Sequence, residues 1–167
     1  MHLKMLLPLA AGLAMLSTAA AAQVDSGCTR ARVGGPPREV FRCANGLVID
    51  VEAASRMGLA VDDNGPRDLT LERGAVYVEA RPGARFQILT PVAIAAVRGT
   101  EFAVDAGADG TSVFVVEGRV RVTKRRLPGA AVELGPGEGV DVRRSEPLVV
   151  RTWGAARVRA LLARFGR

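Results

Sequence analysis

The stretch AIAAVRGTEFAVDAGADGTSVFVVEGRVRV, Ala93 to Val122, decides how the chain is read. Arg98-Gly99-Thr100-Glu101-Phe102 within it is either a reactive loop or a bend between two strands. The flanking pattern favours the bend. Phe114, Val116, Val120 and Val122 fall on one parity and Glu117, Arg119 and Arg121 on the other, which places one face of a strand in a core and the other in water. Gly118 interrupts that alternation, where a bulge or a close approach of backbones is expected.

On either side of this stretch, short strands recur. Leu69 to Leu71, Ala75 to Ala80, Arg85 to Leu89, Ile94 to Val97, Thr100 to Asp105, Thr111 to Glu117, Arg119 to Arg125, Ala131 to Leu134 and Val140 to Arg143 are each bounded by Gly or Pro chemistry. Even spacing of this kind indicates an all-β sandwich, roll or solenoid. A charged residue and a glycine precede the alternating runs at Gly74, Gly99, Gly118 and Gly139. The interval of about 20 residues suggests one β-coil per unit, each burying its apolar face only by stacking. The expected fold is therefore a rolled or solenoid-like sandwich of short strands with a short C-terminal amphipathic helix.

Upstream, Val40 to Cys43 and Leu47 to Glu52 read as a hairpin about a two-residue Asn45-Gly46 turn. Gln23 to Arg38 reads as a loose, turn-rich segment, interrupted by Gly34-Gly35-Pro36-Pro37, and Ala53 to Met57 as one helical turn. Asp62-Asp63-Asn64-Gly65-Pro66 reads as a loop and a boundary; it lacks the ligand spacing of a calcium-binding EF-hand loop. Downstream, Val158, Leu161, Leu162 and Phe165 form one helical stripe after Trp153, bordered by Arg157 and Arg164, with Arg159 and Arg167 behind it. Docking on the β-domain with Trp153 as anchor is the leading expectation for this tail. Binding to an anionic membrane surface or a partner groove, through Trp153, Arg157, Arg159, Leu161, Leu162 and Phe165, is the alternative.

The first 22 residues have a short basic start, an apolar run from Met5 to Leu16 and small residues at Ala20 and Ala22. That is the pattern of a secretory signal peptide cleaved before Gln23, giving a periplasmic or secreted protein that is not integral to the membrane. Cys28 and Cys43 are the only cysteines and, in an oxidising compartment, are expected to pair. The bridge closes a loop of about 16 residues, worth roughly 3 kcal/mol. The formal charge of +6 is carried almost wholly by arginine, Lys124 being the only lysine beyond the leader. Arginine forks recognise carboxylates and phosphates. For an exported chain, this points to an acidic protein face, anionic lipid or acidic polysaccharide rather than nucleic acid.

The single histidine, His2, lies in the leader, so histidine-based triads and metal sites are not expected, and no phosphate loop is present. Glu79, Glu101, Asp105 and Glu117 offer carboxylates, but no spacing sets two of them across a cleft. No catalytic residue, cofactor or metal is expected.

Five runs in order carry a resemblance: Arg73 to Val78, Phe86 to Pro91, Val97 to Phe102, Val116 to Val122 and Leu134 to Val142. They resemble the FecR domain over about 75 residues, Leu69 to Val142, through its G-x-V-x-V, T-P, R-G-T-E-F, E-G-x-V-x-V and L-x-x-G-E motifs. The resemblance implies an envelope domain that senses or transmits. In its best known members, the signal comes from a siderophore-loaded outer-membrane receptor and passes to an extracytoplasmic-function sigma factor. Its signature positions here are Gly74, Thr90, Pro91, Arg98, Gly99, Thr100, Glu101, Phe102, Glu117, Gly118, Gly137 and Glu138, expected to be structural, with Arg98 paired to Glu101. This chain carries a leader where those regulators have a cytoplasmic segment and a membrane span, so it is expected not to hold a sigma factor itself. The expected organisation is residues 1–22 leader, 23–68 disulfide-stapled segment, 69–145 FecR-like β-domain and 146–167 basic tail. The expected role is a non-enzymatic periplasmic interaction or signalling module with an envelope protein partner. An envelope scaffold for acidic polysaccharide or anionic lipid is the alternative.

Overall fold

The computed structural model describes residues 23–25, 27–63 and 65–167; the leader expected at residues 1–22 lies outside them. The chain is a rolled two-sheet sandwich. The first sheet runs β1 (Gln23–Asp25), β2 (Cys28–Val33), β3 (Arg38–Cys43), β4 (Val48–Glu52), the second half of β6 (Gly65–Glu79), β9 (Glu101–Ala106), β10 (Thr111–Glu117), β13 (Glu138–Val142) and β14 (Arg151–Thr152). The second sheet runs β5 (Arg56–Asp62), the first half of β6, β7 (Arg85–Leu89), β8 (Ala93–Arg98), β11 (Val120–Lys124) and β12 (Leu127–Leu134). One helix, α1 (Ala155–Ala163), follows. Among the described residues, no helix is long and apolar enough to cross a membrane.

The chain alternates between hairpins within a sheet and corners that carry it to the other sheet. Corners fall at Ala53 to Ser55, within β6 at Arg73-Gly74, at Ala80 to Ala84, at Gly99-Thr100, at Gly118-Arg119 and at Gly135 to Gly137. Three of the four repeat glycines (74, 99 and 118) are thus corners, and the repeat is the roll itself. The fourth, Gly139, lies within β13 and leaves room for a ring: a Cβ there would sit 2.4 Å from Trp153.

Several local expectations change. Leu69 to Leu71 and Ala75 to Ala80 are one strand, β6, bent at Gly74. Ala53 to Met57 forms no helical turn: Ala54 at φ +64 makes a corner and β5 begins at Arg56. Asp62 and Gly65 are paired ends of the β5–β6 hairpin. The turn between Cys43 and Leu47 holds three residues, Ala44, Asn45 and Gly46, because Cys43 N–H donates to Leu47 C=O and Gly46 N–H to Cys43 C=O. Asn45 Oδ1 accepts from Leu47 N–H at 3.1 Å and braces it. The turn after β11 comes at Arg125-Arg126, ahead of Pro128-Gly129, which sit in a bulge of edge strand β12 between Thr123↔Ala131 and Lys124↔Leu127.

The core lies between the sheets and includes Ile49, Leu69, Leu71, Val78, Ile88, Phe102, Val113, Val115, Val120 and Val122, all fully buried. A second cluster (Ala75, Tyr77, Ala103, Phe114, Trp153, Leu161 and Phe165) forms on the outer face of the first sheet. The parity across Gly118 is therefore split: Val120 and Val122 face the core, whereas Phe114 and Val116 face α1. Strand β10 is covered on both faces because the tail lies over it.

Cys28 and Cys43 are bonded and directly opposite on β2 and β3. With a sequence separation of 15 between them, replacing both with serine is expected to cost about 3 kcal/mol. Chemical denaturation with and without reductant checks this; a reductant-insensitive midpoint would contradict it.

Candidate interaction surfaces

The signature residues are built into the corners and turns. Thr90 is buried and closes the β7–β8 hairpin: its Oγ1 accepts from Ala93 N–H at 2.9 Å and from the Thr111 hydroxyl at 2.8 Å. Arg125 Nη1 caps its carbonyl at 3.1 Å, and Pro91 follows, exposed. At the next corner, Gly99, Thr100 and Gly118 touch. A Cβ on Gly118 would lie 2.7 Å from the Thr100 methyl and 2.8 Å from the Gly99 carbonyl oxygen. The Thr100 hydroxyl is buried without a hydrogen-bond partner, so the methyl is the part of this threonine that the corner uses. Phe102 is fully buried in the core. Glu138 Oε2 accepts from Gly135 N–H at 2.7 Å, and Gly137 N–H donates to Val115 C=O, fixing the last corner.

Arg98 and Glu101 do not pair. Glu101 accepts the Tyr77 hydroxyl and stands 3.9 Å from Arg167, while exposed Arg98 lies opposite Arg85. The reason is the corner between them, which puts Arg98 in one sheet and Glu101 in the other. Glu117 is exposed at the end of β10, opposite Glu101 in register.

The outer face of the first sheet collects the carboxylates. Asp50 and Glu52 on β4, Glu79 on β6, Glu101 and Asp105 on β9, and Asp141 on β13 surround the Tyr77–Phe114 patch. The tail answers them arginine by arginine. Arg164 forks to Glu52 at 2.8 Å and to Asp105 at 2.6 Å. Arg167 reaches Glu79 and Asp50 and stacks over the Tyr77 ring at 4.1 Å. Arg157 bonds Asp141 at 3.0 Å and lies 3.4 Å over the Trp153 ring, and Trp153 stacks on Phe114 at 5.1 Å between centroids.

Helix α1 spans nine residues, has Gly154 at its N-cap without a side-chain cap bond, and carries no acid in its first turn. An isolated helix this short is not stable in water, so it forms because it docks. Trp153, Leu161 and Phe165 are buried by that docking, Leu162 is half-buried, and Arg157 is engaged in its ion pair; of the tail residues expected to meet a membrane or partner, Arg159 alone stays both exposed and uncommitted.

Electrostatics follow from this arrangement. The hydrogen bond from Arg157 holds the Asp141 carboxyl below the ordinary aspartate value; burial opposes the shift and Ser112 adds to it. Burial, then the bond to Glu101, pushes the Tyr77 phenol far up, so it stays protonated as a donor. A depressed carboxylate contributes stability above its unfolded value of about 3.9 and loses it as pH falls through the lower folded value. Trp153, the only tryptophan, is therefore expected to redden in emission below about pH 4, ahead of loss of β-sheet circular dichroism. Asp141→Asn is expected to abolish that early step. A single transition at one pH in both signals would contradict it.

Sequence reasoning missed this acidic face, because its members are spread from Asp50 to Asp141. Tyr77/Glu79 and Ala103/Asp105 each share an outward parity, which is the one signal available. It also missed Lys124, buried, whose Nζ donates to the carbonyls of Arg144 and Glu146 and pins the loop after β13.

The FecR protein family model matches residues 29–121, more than half of the chain. The match begins in β2, well before Leu69. No curated protein matches. Two crystal structures from Parabacteroides distasonis ATCC 8503, provisionally described as an anti-sigma factor, share the fold. At 2.50 Å the match has a TM-score of 0.63 at 23% identity and covers 81% of this chain and 64% of that one. At 1.65 Å the values are 0.62, 22%, 80% and 64%. The present chain thus spans under two thirds of the length of those proteins.

Proposed function

Because this chain belongs to the FecR family, we propose that it is a non-enzymatic regulatory module of the cell envelope that acts by binding another protein. The observation that carries this reading is where the family signature points. Thr90, Thr100 and Phe102 are buried, Gly118 packs on Gly99 and Thr100, Gly99 packs on Pro82, and Glu101 is bonded to Tyr77. These residues shape the roll rather than line a cleft, and the tail seals the acidic face with its own arginines. Sheet edges and exposed arginines are left to meet a partner. The description of the structural neighbours as an anti-sigma factor supports a place in sigma-factor signalling. We further propose that residues 1–22 direct the chain to the periplasm and that the signal relates to iron supply.

Fractionation and transcript profiling test the reading together. The expected results are recovery from the periplasm with Gln23 at the amino terminus, and an iron-dependent change in a sigma-factor-controlled transcript set on deletion of the gene. Full-length protein in the cytoplasm contradicts the compartment. An unchanged transcript profile in iron-replete and iron-starved cells contradicts the regulatory role.

A further inference from the structure

We infer that the free edge of β5 is the docking site for one extended strand of a partner protein, apolar on its inward side with an acidic residue at the β2 end; this rests on the interaction-module reading above. The two sheets differ in extent. Strand β4 crosses directly into β5 at Ala53 to Ser55, and the second sheet ends there, whereas the first continues through β3, β2 and β1. Strands β2 and β3 therefore overhang, with no strand of the second sheet beyond β5 among the described residues. A groove of about 720 Å³ fills the gap, lined by Arg30, Arg32, Val33, Phe41, Met57 and Leu59 among others.

Three observations say what fits there. First, the core is unsealed at this end: Phe41, Met57 and Leu59 pack on its margin only half-buried, and Val33, one of the four large exposed apolar residues among those described, lines the groove. Second, the other sheet edges are blunted and β5 is not. Strand β14 has two residues, β1 has three, and β12 carries Pro128 in a bulge. Strand β5 has seven residues, no proline and charges only at Arg56 and Asp62; its bulges lie at its ends and leave Met57 to Ala60 regular against β6. Such an edge is a template for an added strand. Third, the lining is basic. Arg30 and Arg32 share one acid, Glu39, and the Arg32 side chain is 86% exposed. Burial raises the Glu39 carboxyl, and bonds from Arg30 and Arg32 overcome this and hold it low, so it stays ionised. A second copy of this chain would bring the same arginines, so the charge selects an acidic strand from a different protein.

The probe is a synthetic peptide in which threonine alternates with valine at two inward positions and aspartate at the third, compared with a scrambled peptide of the same composition. With the full chain, the alternating peptide is expected to bind and to slow hydrogen exchange at Met57 to Ala60, and the scramble is not. Arg32→Glu, at an exposed position, is expected to weaken binding about tenfold, and a peptide with lysine in place of aspartate to restore it. Equal binding of the scramble, no binding of either, or protection on β12 overturns the inference. Concentration-dependent protection of β5 without peptide assigns the edge to a second copy and also overturns it. A cellular protein partner that leaves β5 amides unprotected sinks this inference but leaves the interaction-module reading standing; absence of any protein partner sinks both.

Discussion

Gly99→Val is expected to remove about 4 kcal/mol of stability and to lower the thermal midpoint by about 10–15 °C. Two costs add. Gly99 sits at φ +69, a region that β-branched residues avoid, and a Cβ there would stand 2.5 Å from Pro82 Cα and 3.0 Å from its nitrogen. Both contacts are backbone, so no side chain can swing away, and the corner carrying β8 into β9 must open. Gly83→Val separates the costs. Gly83 has φ +90 with nothing within 4 Å of the added carbon, so that variant bears the backbone cost without the clash and is expected to lose about half as much. Equal melting of Gly99→Val and the parent protein would show that the corner is not built as described.

Trp153→Ala has the second largest expected effect, about 3 kcal/mol. The indole is 8% exposed, stacks on Phe114 and sits over Gly139, with Arg157 over its other side. Because α1 has no capping side chain and no acidic first turn, it has no local stability to fall back on once its anchor is gone. Amides of residues 155–163 are expected to exchange at near-unprotected rates, with the β-sheet amides still protected. Arg159→Ala, exposed and unpaired, is the control and is expected to be neutral. Protection of α1 that survives the loss of Trp153 would contradict docking as the source of the helix.

Much of the roll is legible in the sequence because its strands alternate and its corners need glycine. Reading fails where a strand serves two environments. Strand β2 places Cys28, Arg30 and Arg32 on its inward side, and arginines there look like a loop until the overhang is seen to leave them wet. Strand β10 buries both faces, so Phe114 and Val120 share a parity without sharing a core. The helix stripe at Val158, Leu161, Leu162 and Phe165 is legible from spacing alone. What it covers is not, since Glu52, Asp105 and Asp141 become neighbours of the tail only through the strand order. Of the arginines, which on composition alone suit a membrane or a polysaccharide as well as a protein, Arg157, Arg164 and Arg167 are answered within the chain by that acidic face, and the net positive charge remains.

The surfaces left over on this chain are expected to bind a protein. Cross-linking in intact cells, followed by isolation of the chain and mass spectrometry of what is attached, tests it most directly. The expected result is a specific envelope protein, an outer-membrane receptor or a membrane-bound sigma regulator, in covalent adduct with the folded chain. Recovery of the exported, folded chain carrying lipid or glycan and no protein would contradict it.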